Sequence, residues 1–204
     1  MAFVKADLET DLLDCFQAME DGDNKKFSQD VSKAFKDFIE TGTPVTVDTG
    51  SVSAGAFSGA STGGSLSADD TDCEDTIYKA CLKMKDELTE GGNDYLAEKI
   101  AEGLQKMLDD VEVKTQVSGI ATPPPPATPV SLSGSAKGGI TCDTSTVESA
   151  LKACFSAMIP MTAGGNAYMA GQCATCVDAC LKAGAVSTDG EGSLAGSKGT
   201  GTVQ

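Results

Sequence analysis

One turn recurs three times along this chain, and that recurrence limits what the chain can fold into. Asp21-Gly22-Asp23-Asn24 returns as Glu90-Gly91-Gly92-Asn93 and again as Ala163-Gly164-Gly165-Asn166. Self-similarity of this kind marks one supersecondary unit used several times. Aligning the first helices places Cys15, Cys81 and Cys154 at equivalent positions, nine, twelve and twelve residues before the Asn. Leu12, Tyr78 and Leu151 stand just before them, and Phe16, Leu82 and Phe155 just after. Spacings of three and four residues put these on one helical face. Met19, Met84 and Met158 extend the stripe.

A second stripe follows each Asn. Val31, Ile100 and Cys173 are equivalent, as are Ala34, Gly103 and Cys176. Phe35, Leu104 and Val177 come next, then Phe38, Met107 and Cys180, then Ile39, Leu108 and Leu181. Two amphipathic helices joined by a short Gly turn predict an antiparallel hairpin. Thr71 with Glu74 and Ser145 with Glu148 have capping-box spacing, and the Asn of each turn is placed to cap the second helix. Pro160 should end the first helix of the third copy.

Alternating sequence follows each hairpin: Thr43 to Val47, Val111 to Val117, and Ala185 to Thr188. These read as half-buried strands. Gly/Ser-rich segments come after them, Phe57 to Leu66, Leu132 to Ile140 and Leu194 to Val203, each bracketed by apolar residues. Matched ends argue for an ordered strand laid against a surface rather than a free linker. Pro123 to Pro126 form a stiff extended spacer inside the second copy. The predicted fold is therefore α+β, with three tandem repeats at 1–70, 71–141 and 142–204. Each repeat is expected to be an antiparallel helical hairpin, a short β segment and a Gly/Ser-rich extended tail. Units of about 70 residues bury only modest cores alone, so the repeats should lean on one another or on another chain.

Thirty Asp and Glu against fifteen basic residues leave a net charge of −15. That balance opposes nucleic acid and anionic membrane surfaces as partners, since both need a basic face. His is absent, which removes the commonest general base and metal ligand. No apolar run has transmembrane length, and Met1 to Glu9 lacks the basic-then-apolar order of a secretory signal. A non-enzymatic protein without a cofactor is expected.

Eight cysteines stand out against this background. Cys173-Ala174-Thr175-Cys176, with Cys180 beyond it, has the CxxC spacing of redox sites. A redox thiol is usually activated at a helix N-terminus, whereas this motif lies well inside a predicted helix. A zinc reading takes Cys173, Cys176 and Cys180 from one helical face, with Cys154 as the fourth thiolate. The alignment offers a third reading, in which these cysteines occupy the core face of the hairpin. There Cys serves as a small apolar residue or pairs across the hairpin. Cys154 then lies opposite Cys173, with Cys176 as its next candidate partner. Cys15 and Cys81 have no Cys in the facing helix, and Cys73 and Cys142 sit at the junctions between repeats. These four are candidates for disulfides between repeats or between chains, the alternative being free thiols.

The combination of helix, Gly-Gly-Asn turn, helix, strand and a tail such as Gly59-Ala60-Ser61-Thr62-Gly63-Gly64-Ser65-Leu66 resembles small acidic virion structural proteins of tailed bacteriophages. The cysteine load departs from that pattern. The resemblance implies a capsid decoration, linking or collar component within a large symmetric assembly. Its partners would be other virion structural proteins: capsid, collar or tail subunits. Assembly would take place in the host cytoplasm, with the thiols oxidised after release. Gly-rich strands would lie along neighbouring subunits and disulfides would fasten them. The alternatives are a secreted or surface-displayed repeat protein that binds a partner, and a zinc-binding Cys-rich module.

Overall fold

The computed structural model describes residues 3–18, 23–86, 91–161 and 163–204. Asp21, Gly22 and Glu90 of the recurring turns, and Met19 of the first stripe, lie outside the described residues. Among the described residues, helix, helix, strand, strand follow one another three times. The first set is α1 Lys5–Ala18, α2 Asn24–Thr41, β1 Pro44–Val52 and β2 Gly55–Ser67. The second is α3 Thr71–Asp86, α4 Gly92–Asp109, β3 Glu112–Thr122 and β4 Val130–Thr141. The third is α5 Ser145–Met158, α6 Gly165–Ala183, β5 Ala185–Gly190 and β6 Ser197–Val203.

The strands overturn the expected architecture of three hairpin repeats with extended tails. They form one closed antiparallel barrel in chain order, and β6 pairs back onto β1 with Val203 opposite Pro44 and Gly199 opposite Asp48. The Gly/Ser-rich segments are not tails. They supply β2, β4 and β6, each hydrogen-bonded on both sides. A free strand edge leaves a row of N–H and C=O groups unpaired, and closure removes that edge.

The glycines make the closure possible. A six-stranded barrel has a narrow bore, and side chains from all six strands cannot fill it at every level. Side chains enter mainly from β1, β3 and β5, while the facing positions on the even strands are small. Thr46 pairs with Gly201, Thr115 with Gly64 and Ala136, and Thr188 with Gly138 and Gly199. A Cβ on Gly138 would sit 1.7 Å from the Ser187 carbonyl oxygen, and one on Gly201 would sit 1.8 Å from that of Val45. Alternation of small and large residues is the ordinary way to fit a tapering barrel interior.

The helices gather at one mouth of the barrel. Each packs on its chain neighbours, and α1 also packs on α6, so the helical layer closes into a ring as the sheet does. The shared core runs from helix faces to the nearby strand ends, where Leu66, Val113, Ile140, Val186 and Val203 plug the bore. The second-helix stripe is buried as its spacing predicts, apart from the half-buried Cys176: Phe35, Leu104 and Val177 are fully enclosed. Burial of such side chains contributes roughly 1.5–3 kcal/mol each. A separate small cluster of Val52, Phe57, Val117, Ala121, Ala136 and Leu194 closes the opposite end. The Pro123 to Pro126 segment lies in the β3–β4 connection.

The first-helix stripe and the caps differ in detail from expectation. In α3 the buried face is turned: Ile77 and Cys73 are fully enclosed, Tyr78 is half-buried and Leu82 is exposed. Thr71 and Ser145 are first helical residues rather than N-caps. Their backbone N–H groups donate to Asp69 at 2.8 Å and Asp143 at 2.9 Å. Hydrogen bonds from the Thr71 side chain and backbone to Asp69, and from the Ser145 backbone and side chain to Asp143, favour the charged carboxylates and hold both below the usual aspartate range. The Asn of each turn is not the cap. Asp23 accepts from Lys25 and Lys26 N–H ahead of α2, while Gly91 (φ 72°) and Gly164 (φ 77°) occupy the left-handed cap position of α4 and α6. Asn166 instead donates to the Phe16 carbonyl at 3.3 Å, joining the third segment to the first.

Candidate functional site

Two constellations carry chemistry, and the first is the set of thiols. Cys15, Cys81, Cys154 and Cys173 are buried on the core faces of α1, α3, α5 and α6. Cys73 is not at a free junction. It is the third residue of α3, wholly buried, and a Cβ on Gly103 would sit 3.1 Å from its Sγ. Gly103 therefore leaves the space that Cys73 fills. Burial pushes Cys15 and Cys73 up to about 12 and Cys81 up to about 11, and it raises Cys154 as well. Thiols of this kind are poor nucleophiles and behave as small apolar residues.

Cys142 and Cys180 are different. Cys142 lies between β4 and α5, and Cys180 lies near the C-terminal end of α6. Cys180 Sγ donates to the Asp143 carbonyl at 3.5 Å, which places it beside the residue that follows Cys142. Both thiols line one cavity of about 530 Å³ with Thr141, Thr146, Ala179 and Ala185. The Cys142 thiol hydrogen-bonds Cys180, which raises Cys142 and lowers Cys180. A similar bond from Cys173 lowers Cys176, whose own Sγ lies 3.2 Å from the Cys173 carbonyl. Cys154 Sγ meets Met158 Sδ at 3.9 Å.

All eight sulfurs are free thiols in this structure. Cys173 and Cys176 are neighbours along one helix, and Cys180 lines one cavity with Cys142. Among the described residues, no three Cys, Asp or Glu side chains form a group able to hold a metal ion. A groove of about 290 Å³ between α1 and α2 is lined by Asp11, Asp14, Asp30 and Asp37 together with Lys26 and Lys33. Lys26 is paired with Asp30 there, and Lys33 with Asp37.

The second constellation lies inside the barrel, and spacing did not point to it. Below the apolar ring, Thr46, Thr115 and Thr188 occupy equivalent places in β1, β3 and β5, and Asp48 stands one inward position further along β1. All four are buried. Thr46 Oγ1 donates to Asp48 Oδ2 at 2.7 Å. Asp48 Oδ1, Thr115 Oγ1 and Thr188 Oγ1 have no hydrogen-bond partner among the described residues. The available signal was the order Thr-Val-Asp-Thr at 46–49, in which polar residues alternate with valines. In β1 Thr46 and Asp48 face inward, and Val45 and Val47 face outward.

Comparison with protein-family models, curated proteins and solved structures finds no match to this chain.

Proposed function

We propose that this chain is a non-enzymatic structural subunit that docks into a large symmetric assembly, with the tailed-phage virion of the sequence resemblance as that assembly. One observation carries the reading. The molecule bears a net charge of −15, yet part of its barrel wall is uncharged. Val45, Val47, Ser58, Ala60, Thr200 and Thr202 point outward from adjoining strands β6, β1 and β2, and Lys198, opposite Thr49, bounds the patch. Val45 is 39% exposed and Val47 60% exposed. An acidic surface repels its own kind, and an uncharged apolar patch is where a neighbouring subunit approaches at least cost.

Docking of this kind uses side chains and not added strands. Every barrel strand is already paired on both sides, so no edge is free to augment a neighbour. The ring of helices and the closed barrel also let one chain occupy a place that three separate subunits would fill, which suits a decoration or collar position.

The test is incorporation. Particles from the source should contain the wild-type chain, and particles made with Val47→Asp should lack it while the variant keeps its melting temperature. Absence of the wild-type chain from purified particles, or normal incorporation of the variant, overturns the reading. The first of those outcomes would favour a secreted or surface-displayed protein.

A further inference from the structure

We infer that the barrel encloses a binding site for one monovalent cation, built by Asp48 and the threonines of β1, β3 and β5. This inference does not depend on the docking role. Asp48 is wholly buried, yet its only side-chain hydrogen bond is the one it accepts from Thr46. Its other oxygen has no partner among the described residues, and the same is true of the Thr115 and Thr188 hydroxyls. A buried carboxylate without compensation is among the most costly groups a protein can hold. An unpaired hydroxyl beside it adds to the cost. Two such hydroxyls in the same bore as the carboxylate require a common explanation.

The geometry provides one. A Cβ on Gly199 would lie 2.3 Å from Thr188 Oγ1 and 2.4 Å from Asp48 Oδ1. Those two oxygens therefore converge over a glycine, where any side chain would collide with both. Thr115 faces inward from β3 at the place that Thr188 holds in β5. The apolar ring of Leu66, Val113, Ile140, Val186 and Val203 lies above, and the Phe57 cluster lies below. The lining is oxygen from one carboxylate and neutral hydroxyls, with no lysine ion-paired to Asp48 among the described residues.

Oxygen lining selects hard cations. A single carboxylate matches one positive charge, whereas calcium sites gather several carboxylates and more ligands. A bound water satisfies the hydroxyls but leaves the charge uncompensated. The ligand that answers both needs is sodium or potassium, trapped as the barrel closes.

The experiment refolds the full chain from denaturant in choline, sodium or potassium chloride at equal ionic strength, so that screening of the −15 charge is constant. Melting temperatures should be several degrees higher in one of the alkali salts than in choline, with saturation as its concentration rises. Asp48→Asn should abolish the difference. If that variant does not fold, Thr188→Val, which removes one ligand oxygen at nearly constant shape, should shift the saturation to higher salt. Crystals grown in thallium(I) should show an anomalous peak at Asp48 Oδ1. Equal melting in all three salts, or a crystal with only water or a protonated carboxyl at that place, overturns the inference.

Discussion

At the scale of the residue, glycine in this chain is defined by what faces it. Gly138 and Gly63 look alike in the sequence, since both lie in Gly/Ser-rich segments. A Cβ on Gly138 would meet the Ser187 carbonyl oxygen at 1.7 Å, and one on Gly63 would meet nothing within 4 Å. Gly138→Ala should therefore cost about 3 kcal/mol, the upper end of overpacking, because backbone must move. Gly63→Ala, at the β2 irregularity opposite β3, should stay within about 0.5 kcal/mol of wild type. Urea titration of the two variants measures both, and equal costs would remove the narrow-bore account of the glycines. Asp48 makes the same point from the polar side. Its neighbours in sequence are unremarkable, and only the closed barrel turns it into a buried charge facing open hydroxyls.

At the scale of the element, the faces of the second helices were legible, that of α3 was not, and strand faces were not. Val31, Ile100 and Cys173, with their equivalents one and two turns later, are buried because a helical stripe three to four residues wide has one side to hide. A strand alternates with period two, so it states that its faces differ without stating which face is inside. In β1 Val45 and Val47 are outside, in β3 Val113 and Val117 are inside, and the barrel interior decides between them. The thiols show a further limit. Counting outward from the Gly turn sets Cys154 opposite Cys173, but helix-to-strand packing brings Cys142 to Cys180. Oxidised glutathione should convert those two thiols to one disulfide, each pair of electrons reducing one glutathione disulfide to two thiols. The lowered Cys180 supplies the attacking thiolate, and Cys142, beside it, resolves the mixed disulfide. Peptide mass mapping should show Cys142 joined to Cys180, with a stability gain of about 2–3 kcal/mol. Cys73, wholly enclosed, should remain a thiol under the same treatment. Preferential linkage of Cys73 would contradict this placement.

At the scale of the whole molecule, the three segments are inseparable. Each contributes two strands to a barrel that is stable only when closed, and the first and last strands pair with each other. A two-stranded ribbon is marginal in water on its own. The fragment 142–204, expressed alone, should lack the far-ultraviolet signature of its share of the fold, while the full chain should unfold in one cooperative transition. A folded fragment, or three separate transitions, would return the molecule to independent units.

The helices and the first strand of each segment followed from the sequence alone, because local periodicity acts over a few residues and needs no distant partner. Closure, the direction in which β1 faces, the pairing of Cys142 with Cys180 and the buried place of Asp48 were decided only in three dimensions. Each depends on which strand or helix, some forty to one hundred and fifty residues away, completes the hydrogen bonds or fills the space, and hydrophobic spacing along a chain carries no record of that partner.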